Sequence, residues 1–138
     1  MSSNGGHPPW RTLVRALSII AALSGCRDSN LRLPTPPPDL ATSARVTRGR
    51  AIFLEHCALC HGERADGRGP RREGLDRLPR DFTSTEWRAS ATAPGVFVTL
   101  RDGVDGSPMP SWSALGDEAL WDLTGYVLSV AAPGRTLP

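Results

Sequence analysis

The sequence predicts an all-α domain, and three observations carry that expectation. The segment GDEALWDLTGYVLSVA, residues 116–131, repeats Leu120, Leu123, Val127 and Val130 at spacings of three and four, the period of one helix face. A second segment, TRGRAIFLEHC, residues 47–57, continues a pattern in which Val46, Ile52 and Phe53 share an apolar face beside Gly49. Between them, residues 62–82 are rich in Gly, Pro and Arg, a loop composition, and no clear strand accompanies them. Residues 92–104 have the β-branched content of a strand, but Pro94 near the start and Gly103 at the end favour a short helix over 94–102.

Taken in order, the 138 residues leave room for one domain plus extras. Residues 1–25 read as an export signal. Arg11 and Arg15 precede ALSIIAAL, residues 16–23, an apolar run shorter than the roughly 20 residues that cross a bilayer core. LSGC, residues 23–26, resembles the bacterial lipobox, in which the cysteine is lipidated and becomes the first residue of the mature chain. That resemblance implies an exported, periplasm-facing protein anchored to a membrane by lipid at Cys26. Residues 26–43 form the lipidated cysteine and a tether, where Pro34 and Pro36 to Pro38 favour an extended polyproline path.

Residues 44–138 make the folded domain, with its core expected to end near Ala132. At about 90 residues a core alone is marginal, and a bound cofactor helps. Asp117 and Glu118 sit in the first turn of the last helix, where negative charge complements the helix dipole, and Pro133 with Gly134 stops it. Gly125 lies inside that helix at a cost of about 1 kcal/mol against Ala. A net charge of +2 gives no reason to expect nucleic acid as a partner.

The chemistry is concentrated in CALCH, residues 57–61. Three readings compete for two cysteines separated by two residues. A structural zinc wants four ligands, but here Cys57, Cys60, His61 and His56 are bunched in six residues with no distant pair to close a fold. A dithiol redox pair wants a preceding strand and a βαβ context, whereas the residues before Cys57 have a helical pattern. Haem attachment fits the spacing and the exported context: each thiol adds across one vinyl group to form a thioether, and His61 is then carried under the ring to bind iron.

The sequence at this point resembles class I cytochrome c, especially small bacterial single-haem domains similar to those of cbb3-type oxidase subunits. Gly49, Phe53 and Cys57 match the first helix of that family, CALCHGERADGRGP (57–70) its haem segment, LPRDFT (78–83) the following loop, DGVDGSPMPSW (102–112) its distal loop, and Leu123 with Tyr126 its last helix. The resemblance implies three to five short helices around one covalently bound haem c, with Gly49 allowing the first and last helices to cross closely. It implies that the Pro70 carbonyl accepts from the second nitrogen of His61, and it makes Arg80, Trp87 and Trp112 candidates to line the haem or bond its propionates.

A six-coordinate haem needs a second axial ligand, and Met109 is the one methionine left after the signal is removed. Pro108 and Pro110 stiffen the loop around it. His56 precedes Cys57 and would lie on the His61 side of the ring, so it reads as a surface residue. His61 and Met109 together fill both axial positions and raise the reduction potential. The expected function is therefore electron transfer, one electron at a time, between redox proteins at a membrane, and not catalysis; a monomer is favoured. A fixed haem subunit of a larger oxidoreductase, such as a terminal oxidase or dehydrogenase, is the alternative, and a haem-based gas sensor a weaker one.

Overall fold

The computed structural model describes Met1 and residues 33–130. The remainder of the signal sequence, Cys26, the first part of the tether and residues 131–138 lie outside the described residues.

Five α-helices and no strand occur among the described residues: α1 (Ser43–His56), α2 (Ala58–His61), α3 (Thr85–Ser90), α4 (Ala93–Asp102) and α5 (Asp117–Val130). Each of α1, α3 and α4 starts on a hydroxyl that accepts a hydrogen bond from an otherwise orphaned backbone N–H, at Thr42, Ser84 and Thr92. The helix expected over 94–102 is α4, with Pro94 in its first turn and Gly103 closing it. The first helix begins four residues before the expected Thr47, because Thr42 caps it.

The frame is the crossing of α1 with α5. A Cβ added to Gly49 would overlap the Asp122 carbonyl and come within 2.9 Å of the Tyr126 Cβ, so the two helices approach as closely as they do because no side chain stands between them. The rings of Phe53 and Tyr126 meet beside this point, 5.1 Å apart and fully buried. Phe97 of α4 stacks on Trp121 of α5 at 4.1 Å, which fastens α4 to the same frame.

The residues expected to continue the tether behave differently at their C-terminal end. Leu40 N–H bonds the Pro37 carbonyl at 3.1 Å and Thr42 N–H the Asp39 carbonyl at 3.0 Å, forming a turn that packs on the domain. Leu40 packs against the core, and a Cβ on Gly125 would lie 2.6 Å from the Leu40 carbonyl oxygen. Gly125 is thus the landing site of this turn, which accounts for a glycine inside α5. Buried Arg45 holds the turn in place through Asp39 at 2.8 Å, Asp122 at 2.8 Å and Glu118 at 2.9 Å. Arg48 adds bonds to Asp122 at 2.6 and 2.8 Å. Hydrogen bonding to Asp39 first, then to Asp122 and Glu118, raises the Arg45 pKa against the opposing effect of burial.

Candidate functional site

Helix α1 delivers the cysteine motif. Cys57 ends α1 with its N–H on the Phe53 carbonyl at 2.8 Å, and its own carbonyl accepts from His61 N–H at 2.9 Å to open the one-turn helix α2. Cys57, Cys60 and His61 therefore project from one short turn into a common cavity of about 530 Å³. That is a size suited to a cofactor or small ligand. Burial, with a contribution from Cys60, pushes the Cys57 thiol up to about 12. A thiol so firmly protonated is a poor nucleophile for disulfide exchange.

The His61 ring is held on two sides. Its Nδ1 lies 3.0 Å from the Arg80 carbonyl oxygen. A carbonyl only accepts, so the proton sits on Nδ1 and Nε2 keeps its lone pair for a metal. Burial lowers the His61 pKa, and the Arg80 bond opposes that effect only in part. The neutral form, the one able to ligate, is thereby favoured. Phe82 stacks on the imidazole at 4.8 Å, and Trp87 meets Phe82 edge-on at 4.9 Å.

The carbonyl facing His61 corrects one sequence expectation. Pro70 opens an exposed 3-10 turn, Pro70–Arg72, and does not line the cavity. Before that turn Gly67 N–H bonds the His61 carbonyl at 2.8 Å, and after it the chain folds back so that Phe82 N–H bonds the Ala65 carbonyl at 2.9 Å. This return brings the Arg80 backbone to the imidazole. Arg80 serves the site through its main chain, a role that a reading of its guanidinium missed, and Phe82 was legible only as part of the quoted LPRDFT loop.

Across the cavity, the loop between α4 and α5 contributes half-buried Met109 and Trp112. Trp87 and Arg80 complete the set, so all the predicted site residues of the domain except Pro70 line one cavity. Trp112 lines the cavity, and its buried Nε1 has no hydrogen-bond partner among the described residues. His56 is no plain surface residue: it is half-buried, lines the cavity and packs on Trp112 with ring centroids 5.3 Å apart.

A haem fits this donor set. Two thiols on one turn match its two vinyl groups, Nε2 of His61 offers a lone pair, and the Met109 thioether lies in the wall contributed by the other loop.

Comparison with known proteins agrees. The family described as cytochrome c oxidase, cbb3-type, subunit III matches residues 44–127. A cbb3-type cytochrome c oxidase subunit CcoP of Rhodobacter capsulatus is 35% identical over 79 residues, which cover 57% of this chain and 24% of that protein. A subunit FixP of Rhizobium etli is 29% identical over 96 residues, 69% of this chain and 30% of that one. The chain thus spans about a quarter to a third of the curated relatives it matches. Among solved structures, the Kuenenia stuttgartiensis reducing HAO-like protein complex Kustc0457/Kustc0458 superposes with a TM-score of 0.61 and 29% identity, covering 74% of this chain and 53% of that one. The KustC0563 c-type cytochrome gives a TM-score of 0.50 and 28% identity, covering 61% of this chain and 98% of that one.

Proposed function

Since the chain belongs to the family of class I c-type cytochromes described as cytochrome c oxidase, cbb3-type, subunit III, we propose that it carries electrons one at a time between membrane-associated redox partners, on a single covalent haem ligated by His61 and Met109. The observation that carries this reading is the convergence of Cys57, Cys60, His61 and Met109 on one cavity. A bound haem supplies an iron whose ferric and ferrous states hold and release the electron. The chain supplies the rest. Cys57 and Cys60 fix the group so that it does not exchange. The Arg80 carbonyl and the Phe82 ring orient His61. The largely apolar wall surrounds the group, and a thioether ligand favours the reduced state. If His61 and Met109 both held the group, it would offer no open site for substrate, the arrangement of a carrier and not of an enzyme.

Two measurements test the ligand set. Haem should stay with the polypeptide through denaturation and acid-acetone extraction, and Cys57→Ser with Cys60→Ser should release it. The oxidised protein should show the weak red absorption band of an iron–sulfur bond, which Met109→Ala should abolish while lowering the potential. An unchanged spectrum in that variant would remove Met109 from the iron.

The similarity to oxidase subunits supports a second reading, a fixed haem subunit of a larger oxidoreductase. Stable co-purification with other subunits favours it over a mobile carrier, and carbon monoxide binding by the reduced protein at neutral pH would favour a sensor over both. The lipobox-like LSGC supports anchoring at Cys26. On that reading Cys26→Ser leaves the haem domain intact and frees it from the membrane or blocks processing.

A further inference from the structure

We propose that Arg77 and His56 are positioning residues that hold the Met109 loop closed over the cavity from segments outside α4. The proposal rests on Met109 as axial ligand and adds what keeps it there. Inside the loop, Val104 N–H bonds the Met109 carbonyl at 3.1 Å, Ser107 Oγ donates to the Val104 carbonyl at 2.8 Å, and Met109 N–H donates to Ser107 Oγ at 3.2 Å. These bonds stiffen residues 104–109, so Met109 leaves the cavity chiefly by motion of the loop as a body.

The fastenings of that body fall into two groups. Trp112 N–H bonds the Leu100 carbonyl at 2.9 Å, and Ser111 Oγ bonds the Arg101 carbonyl. Both acceptors belong to α4, the helix from which the loop departs, and they act as the hinge. The other contacts join the loop to segments outside α4. Arg77, in the segment after the haem motif, donates from Nη1 to the Asp105 carbonyl at 3.2 Å. His56, the last residue of α1 and next to Cys57, packs its ring on Trp112. Arg77 and His56 both line the cavity, so the loop is strapped near its start and near its end, with Met109 between. Neither side chain is asked to bind iron; each works through the loop.

Imidazole added to the ferric protein reads out loop opening, because it binds iron only after Met109 has left. Arg77→Gln and His56→Ala should each speed imidazole uptake about two- to tenfold, which corresponds to a contact of about 0.4–1.4 kcal/mol at 1.4 kcal/mol per decade. The double variant should give roughly the product of the two effects. Asp105→Asn should match wild type, since the acceptor is a main-chain carbonyl. Where His56→Ala loses haem during maturation, Trp112→Leu cuts the same contact from the other side. A wild-type protein without the iron–sulfur band would overturn the Met109 reading itself. A wild-type protein with the band, and wild-type uptake rates in Arg77→Gln and in the His56 or Trp112 variant, would overturn the strap. Equal acceleration by Asp105→Asn and Arg77→Gln would assign the Arg77 effect to charge and overturn its hydrogen-bonding role.

Discussion

At the crossing of α1 and α5 the chain makes every contact with itself. Gly49 lies against Asp122 and Tyr126, Leu40 covers Gly125, and Arg45 gathers three carboxylates. Residues 120–127 of α5 are buried without a break. The cavity wall is built otherwise. It draws on all five helices and on two loop stretches, residues 75–82 and 104–112, and surrounds about 530 Å³. Exposed Leu78 and Val104 belong to this wall. The crossing is therefore a frame that stands by its own packing, whereas the wall is shaped around a space. Damage to the first should register as lost stability with the site chemistry retained. Damage to the second should register in the site chemistry first.

Asp122→Ala tests that division most severely. Its side chain is 5% exposed and receives bonds from both Arg45 and Arg48. Breaking a buried ion pair from one side costs about 3–5 kcal/mol. The lower end is expected, because Asp39 and Glu118 remain beside Arg45. For a domain of this size the melting temperature should then fall by roughly 12 °C or more. The haem spectrum of the protein that remains folded should be unchanged. A melting temperature within about 3 °C of wild type would show that water reaches the cluster and that the frame does not depend on it.

Gly125→Ala is the next probe. Helix propensity alone favours Ala by about 1 kcal/mol. The new Cβ would sit 2.6 Å from the Leu40 carbonyl, a backbone atom that moves only with the whole turn. Overpacking of this kind costs about 1–3 kcal/mol, so a net loss of about 1 kcal/mol is expected, together with easier proteolysis of residues 33–42. A stabilised variant would mean that the turn lifts off at little cost.

On the cavity side, Phe82→Leu removes the ring stacked on His61 while keeping an apolar side chain. The loss of stability should be about 1 kcal/mol or less, near the value of one aromatic pair. The signature should lie at the site, as a shifted reduction potential from a less constrained imidazole, measured by redox titration. A potential equal to wild type would leave the Arg80 carbonyl as sufficient support for the ring.

These contrasts also explain what was readable in the sequence. The helices, the CALCH turn and Met109 between prolines are local signals, set by residues within a few positions of one another. Gly125 looked costly inside a helix because what packs on it, Leu40, lies far away in a segment read as tether, and the burial of Asp122 was not legible because its partner Arg45 is 77 residues away. The Pro70 expectation failed for a related reason. Which carbonyl reaches His61 depends on how the loop returns, and the Arg80 oxygen that arrives carries no side-chain signature. The partnership of His56 with Trp112 joins residues 56 positions apart, so spacing within the motif does not announce it.

The smallest expected effect on stability concerns the arginine-rich segment after the haem motif. It contains Arg64, Arg68, Arg71, Arg72, Arg77 and Arg80 against Glu63, Asp66, Glu73 and Asp76, six minus four, an excess of +2. Part of that charge is spent internally. Arg64 pairs with Asp66 at 3.0 Å, and Arg77 is engaged with the Asp105 carbonyl. Arg71 and Arg72 are exposed on the Pro70–Arg72 turn, with no carboxylate at ion-pair distance among the described residues. They are the charges free to meet an acidic surface on a redox partner. Reversing both to Glu should leave stability within about 0.5 kcal/mol and the haem spectrum intact, as surface changes usually do. Their influence should lie in association, because charges at a rim act on the rate of encounter and are screened over about 8 Å at physiological salt. Electron transfer to an acidic partner should therefore slow severalfold at low ionic strength, and the difference from wild type should shrink as salt is added. Stopped-flow rates across a salt series measure both. Equal rates for the double variant and wild type at every ionic strength would make this turn a solvated surface and place docking elsewhere on the molecule.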